Sequence, residues 1–270
     1  MGQVYVGRLQ RGGAIDYQKE MEAAISYFRK AEGLQAELGQ ETDLVNSLGW
    51  LGRLYADQGR YNEAEPLCIK ALETGKRLLG EDHSSVADNL NNLASIYESQ
   101  GRYSEAEPLY VQALDIVKRQ LGIDHQATAT NLNNLAGLYE SQGRYSEAEP
   151  LYMQALDIAE RQLGTDHPNV ATNLNNLANL YRALERTSEA ELMYVQALEM
   201  SKRLLGEDHP AVVTRLNNLA SLYESQGRIS EAEPMYVQAL DIAKQQLGID
   251  HPNTVLVRKN LEELRSKLTS

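Results

Sequence analysis

The residues in this 270-residue chain that could do chemistry fall into a repeating pattern. Asp82-His83, Asp124-His125, Asp166-His167, Asp208-His209 and Asp250-His251 recur every 42 residues and hold all five histidines. An aspartate beside an imidazole suits either a metal site or acid–base catalysis. The spacing opposes both. A whole helix pair separates the copies, and neighbouring packed helices lie about 8–10 Å apart, against a Zn–N bond of about 2.0–2.1 Å. A catalytic group repeated at equal intervals is unlike a single site. Capping accounts for the interval better: Asp serves as N-cap of a following helix, with Pro168, Pro210 and Pro252 in its first turn. The chain carries no G-x-x-x-x-G-K, G-x-S-x-G or H-E-x-x-H motif. No metal, no cofactor and no enzymatic activity are expected.

The lone thiol, Cys68, shares a column with Tyr110, Tyr152, Tyr194 and Tyr236, which reads as a core filler rather than a nucleophile. A single cysteine forms no intrachain disulfide, which suits a reducing, cytoplasmic setting. Net charge is −12 and the sequence pI is about 5.0, which argues against nucleic acid or an anionic membrane as partner. The opening MGQVYVGRLQRGG has no apolar core of a signal peptide, and no apolar run is long enough to span a bilayer.

The elements that would position these residues come from an internal repeat. Asn91–Gly122 returns at Asn133–Gly164 with 27 of 32 positions identical, and weaker copies begin at Asn175, Asn217 and Gly49. Residues 1–39 read as a degenerate N-terminal repeat or cap. Five units follow over 42–251, at about 42–80, 84–122, 126–164, 168–206 and 210–248. Residues 252–270 read as a C-terminal capping helix, because Glu262 stands where Ala220 would recur.

Each unit reads as two helices. In the second unit Leu90, Leu93, Ala94 and Tyr97 share one face of the first helix, and Gly101 stops it. The second helix is expected to open on a capping box, Ser104 to Glu107, and to run to Leu121. The same box is read at Ser146, Ser188 and Ser230, with Asn62 as its counterpart in the first unit. Arg60, Arg102, Arg144, Arg186 and Arg228 lie in the turn, where a structural carboxylate partner is the favoured reading. In the fourth unit Glu185, Thr187 and Leu192 replace Gly, Tyr and Pro, so its turn is expected to be altered and softer.

The pattern at Leu93, Ala94, Tyr97, Ala106, Tyr110 and Ala113 resembles the tetratricopeptide repeat. The 42-residue version, with L-N-N-L-A, G-R-Y-x-E-A-E and L-G-x-D-H-P, is similar to the arrays of kinesin light chains. The resemblance implies an all-α fold, a right-handed α-solenoid of helix-turn-helix repeats. It also implies that first helices line a concave surface that binds extended peptides.

The face of the first helix opposite Leu93 and Ala94 carries Asp88, Asn91, Ser95 and Glu98. Its copies are Thr130, Asn133, Gly137 and Glu140; Thr172, Asn175, Asn179 and Arg182; Thr214, Asn217, Ser221 and Glu224. The first unit offers Asn46, Gly49, Arg53 and Ala56. An Asn amide both donates and accepts, so a ladder of Asn91, Asn133, Asn175 and Asn217 suits a peptide backbone. Two other readings of this ladder are bonding between neighbouring helices and plain solvation. Acidic rungs outnumber Arg53 and Arg182, which favours a neutral or basic ligand. The expected function is a protein-interaction scaffold, monomeric or weakly self-associating, whose groove takes a protein or peptide ligand. The alternative is a self-association module or a spacer.

Overall fold

The computed structural model describes residues 17–37 and 41–269. The described residues form twelve helices and no strand. In chain order they are α1 (Tyr17–Glu37), α2 (Glu41–Asp57), α3 (Tyr61–Leu79), α4 (Ser84–Ser99), α5 (Tyr103–Leu121) and α6 (Gln126–Ser141). Then come α7 (Tyr145–Leu163), α8 (Pro168–Ala183), α9 (Thr187–Leu205), α10 (Pro210–Ser225), α11 (Ile229–Gln246) and α12 (Pro252–Thr269). The chain divides into two compact units, Ala23–Ile158 and Ala159–Ser270, with the described residues before Ala23 grouped with the second and the divisions inside α1 and α7. Calls on residues 1–16 and 38–40 lie outside the described residues.

In the first unit, α2 pairs with α3 and α4 with α5, and each second helix also packs on the next first helix. The predicted stripe is the reason: Leu90, Leu93 and Ala94 of α4 are buried, with Ala106, Tyr110, Ala113 and Leu114 of α5. Small residues let the helix axes approach, and the large ones fill the space between. Burying each large side chain contributes about 1.5–3 kcal/mol. Cys68 sits in this layer as expected. A Cβ on Gly52 would collide with its Sγ, so glycine and cysteine replace the Ala94 and Tyr110 of the next unit. Burial pushes the Cys68 thiol up to about 12, out of reach of nucleophilic chemistry at neutral pH.

The turn between the two helices follows the glycine. Gly101 adopts φ 73°, its N–H reaches Glu98 O at 2.8 Å, and Arg102 N–H reaches Tyr97 O at 2.8 Å. The capping box is a misreading. Helix α5 begins at Tyr103, its N-cap is Arg102, and no side chain caps it. The tight turn ends two residues before Ser104, so the serine falls inside the first turn of the helix. The N-terminal acid that matters is Glu105, which takes the Arg102 guanidinium at 2.8 Å.

The loop before each first helix also differs from expectation. The N-cap is the histidine and not the aspartate. His83 Nδ1 accepts from Ser85 N–H, and His125 Nδ1 accepts from Ala127 N–H, both at 3.1 Å. In the second unit His167, His209 and His251 cap α8, α10 and α12 in the same way, each at 3.1 Å. This accounts for the confinement of histidine to one slot.

The second unit repeats the scheme with α8 on α9 and α10 on α11, and α12 packs against α11. Glu262 is exposed on α12, where an alanine would meet a second helix. The fourth turn is not altered. Glu185 takes φ 57°, Arg186 N–H still reaches Tyr181 O at 2.8 Å, and Glu185 N–H reaches Arg182 O at 3.1 Å. The surrounding hairpin forces a glutamate into the left-handed conformation that glycine holds elsewhere.

The turn arginines tie successive repeats, the structural role expected of them. Arg102 lies over the Tyr97 ring at 3.9 Å and bridges to Glu65 of the preceding repeat at 2.9 Å. Arg144 repeats this over Tyr139 at 4.0 Å, with Glu107 at 2.7 Å. In the second unit Arg228 does so over Tyr223 at 3.7 Å, with Glu191 at 2.8 Å.

Candidate protein-binding cleft

In the first unit the faces of α2, α4 and α6 form a cleft of about 490 Å³. It is lined by Asn46, Gly49, Trp50 and Arg53 of α2, by Ser85, Asp88, Asn89, Asn91 and Asn92 of α4, and by Ala127, Thr130, Asn131 and Asn134 of α6. Six positions of the expected stripe thus come together: Asn46, Gly49, Arg53, Asp88, Asn91 and Thr130. Ser95, Glu98, Asn133 and Glu140 lie on the same helices but do not line it. Sequence reasoning missed Trp50, which sits beside the polar stripe rather than on it. It is the only tryptophan, and a lone large aromatic next to a groove position was the available signal. Trp50 stacks on Phe28 at 6.3 Å, with the Arg53 guanidinium 5.7 Å from its ring centre. Arg53 and Asp88 bring one charge of each sign to the cleft. The cleft walls partly desolvate the exposed Asp88 carboxyl and raise it above its ordinary value, and His83 opposes this.

The asparagine ladder is engaged by the neighbouring first helices. Asn91 Nδ2 donates to Ala87 O at 3.0 Å and to Asn131 Oδ1 at 2.8 Å, and its Oδ1 accepts from Asn134 at 3.3 Å. Asn133 Nδ2 donates to Ala129 O at 3.2 Å. In the second unit Asn175 and Asn217 are only 6% and 8% exposed. They accept from Asn218 at 3.1 Å and from Asn260 at 2.8 Å.

Three of the four acidic rungs are engaged by tyrosine hydroxyls, and Asp88 stands exposed in the cleft. Glu98 accepts from the Tyr110 hydroxyl at 2.9 Å and Glu140 from Tyr152 at 2.8 Å. Glu224 accepts from Tyr236 at 3.0 Å and from Lys267 at 2.8 Å. Burial and Glu98 together hold the Tyr110 phenol far above its usual range, so it stays a donor. Where Arg182 replaces the glutamate, Asn179 accepts from Tyr194 at 2.5 Å instead. Arg182 itself donates to Ser221 at 2.9 Å.

Thr172 and Thr214 remain exposed in the second unit. Arg215 is buried, bonded to Thr172 Oγ1 and Ala211 O at 2.9 Å each, and burial lowers its value to about 10. A wider, shallower hollow of about 690 Å³ lies along α11, lined by Pro234, Val237 and Ile242 with Asp208, Glu233 and Asp241 at its margins. It borders a second helix and gathers none of the expected site residues. Among the described residues no group of three or more His, Cys, Asp or Glu could hold a metal ion. No described helix is long and apolar enough to cross a membrane.

Paired helices, a left-handed turn and a 42-residue register define a helical-repeat protein. The tetratricopeptide repeat model matches residues 43–119, 85–161, 128–203, 193–245 and 215–268, and the chain belongs to that family. Among solved structures it is similar to BtubC (BKLC) from P. vanneervenii, at 25% identity and TM-score 0.67, over 82% of this chain and 90% of that one. It is also similar to a Podosopora anserina protein described as a kinesin light chain with nearly identical TPR-like repeats. That match has 27% identity and TM-score 0.59, over 75% of this chain and 97% of that one. A Rap protein complexed with competence and sporulation factor shares the fold at 18% identity and TM-score 0.64, over 93% and 72% of the two chains. No curated protein matches.

Proposed function

We propose that this chain is a protein-interaction scaffold that holds an extended segment of a partner against its first helices, with the α2–α4–α6 cleft as the principal seat. The observation that carries this reading is the cleft itself. It is a polar concavity on one face of three successive first helices, with an aromatic ring and one charge of each sign at its edge. Asn46, Arg53, Asp88 and Thr130 are exposed there, whereas the Asn91 amide holds α4 and α6 in register. Ser95 in the same unit would extend contact along the segment, and Thr172, Arg182 and Thr214 are the corresponding candidate contacts on the first helices of the second unit, taken by itself. The Rap protein solved with its factor shows one chain of this fold occupied by a partner. Affinity in such a groove comes from many modest contacts, with specificity from a few anchored side chains. A cytoplasmic location fits the lone buried thiol.

A peptide-display selection tests the reading. Peptides retained by the wild-type chain should lose at least tenfold in affinity in Arg53→Ala and Asn46→Ala. Retention unchanged in both variants, yet lost on substituting Val237 or Pro234 of the α11 hollow, would move the site to the second-helix face.

A further inference from the structure

The second helix α11 departs from its predecessors at one position. Arg119 of α5 and Arg203 of α9 occupy the same place near the helix end, two 42-residue periods apart. Each guanidinium reaches back 37 residues to the aspartate of an Asp-His loop. Arg119 takes Asp82 in the first unit. In the second unit Arg203 takes both oxygens of Asp166, at 2.5 and 2.6 Å. One period after Arg203, α11 carries the neutral Gln245. Its aspartate, Asp208, is exposed and forms no ion pair with a described residue. Asp208 and Gln245 both line the hollow of about 690 Å³. Where an arginine side chain crosses to its aspartate one repeat earlier, α11 therefore leaves open space. The floor of that space is apolar: Ile242 is buried, Val237 half-buried and Pro234 exposed. Glu233 at the margin is held by Arg265 of α12 at 2.8 Å, while Asp241 stands exposed beside the floor.

We propose that the α11 hollow is a second docking surface, which takes a partner segment bearing an arginine next to an aliphatic side chain. The guanidinium would meet Asp208 as Arg203 meets Asp166, and the aliphatic group would cover Pro234 and Val237. A planar guanidinium forks onto both oxygens of one carboxylate, which an ammonium does not do. An acidic segment would be repelled by Asp208 and Asp241. The chain's own net charge of −12 opposes a second copy as occupant and favours a basic partner. A volume of this size lies within the roughly 300–1,000 Å³ of ordinary ligand pockets, enough for two adjacent side chains. No residue of the α2–α4–α6 cleft takes part, so the hollow stands independently of that reading.

The probe is the capped dipeptide acetyl-leucyl-arginine amide, with its citrulline analogue as the neutral isostere. Each is titrated into the full chain and followed through the backbone amides of Asp208, Val237 and Ile242. Saturable shifts are expected with the arginine probe, and binding about fivefold weaker with citrulline, the upper end for an exposed ion pair. Asp208→Asn should bring the arginine probe to the citrulline level. Gln245→Arg, which supplies a guanidinium from within, should abolish the response. Both positions are exposed, so neither change disturbs the core. No saturable shift, equal affinity for the two probes, or a response unaltered in both variants would overturn the site. A response that appears only after deletion of residues 1–16 would assign the hollow to the chain's own opening segment. A dimer seen by light scattering and dissolved by Gln245→Arg would assign it to a second copy. Either result overturns the partner. The response should be unchanged in Arg53→Ala, so the failure of one seat does not decide the other.

Discussion

A histidine caps a helix only while its ring is neutral, because the Nδ1 that accepts the backbone N–H is a donor once protonated. Burial and Arg215 lower the His209 value, and burial lowers that of His251. The folded state therefore resists protonation more than the unfolded chain does. Stability from these two groups is complete above about pH 6.5 and is lost as pH falls through their depressed values. His209→Asn, which keeps a capping acceptor but does not titrate, is expected to flatten the pH dependence of urea midpoints between pH 7 and 5. An unchanged slope would show that the cap is not linked to protonation. Glu185 is the other residue whose chemistry and conformation disagree, held at φ 57°. Glu185→Gly should raise stability by about 1 kcal/mol, read from urea unfolding, since glycine takes that conformation without a side-chain clash.

Among the elements, the connection between repeats depends on the turn arginines. Arg144 is about a third exposed and faces a ring and two carboxylates, Glu107 and Glu147. Its loss should lower the urea midpoint. Arg144→Lys should recover little of that, because an ammonium cannot stack and fork at once. A double-mutant cycle of Arg144→Ala with Glu107→Gln measures the tie between repeats, and a coupling near zero would leave it decorative. The boundaries of these helices were legible in the apolar stripe and in Gly101, but the caps were not. Ser104 and Asp124 both have the chemistry of a cap. Which residue occupies the position depends on where the turn ends, and that is set by the packing of one helix on the other.

For the molecule as a whole, a stack of repeats is stabilised by nearest neighbours, so damage stays local. Deleting residues 252–270 removes α12 from α11 and leaves Asn217 without its Asn260 donor. Amide exchange in α10 and α11 should quicken by an order of magnitude or more, while α4 and α5 keep their protection. Uniform loss of protection across the chain would show a single cooperative unit instead.

The repeat, its 42-residue period, the all-helical class and the inward and outward faces were all determined by the sequence, because each follows from residue type at helical spacing. The fate of the polar stripe was decided only by tertiary structure. An asparagine or glutamate on an outward face looks the same in sequence whether it meets a ligand, water or the next helix. Asn91 turned to its neighbours in α6, Glu98 took the Tyr110 hydroxyl, and Asn89 Oδ1 came against Gly49 where a side chain would begin. Those outcomes depend on distances between helices that adjacent residues in the chain do not encode.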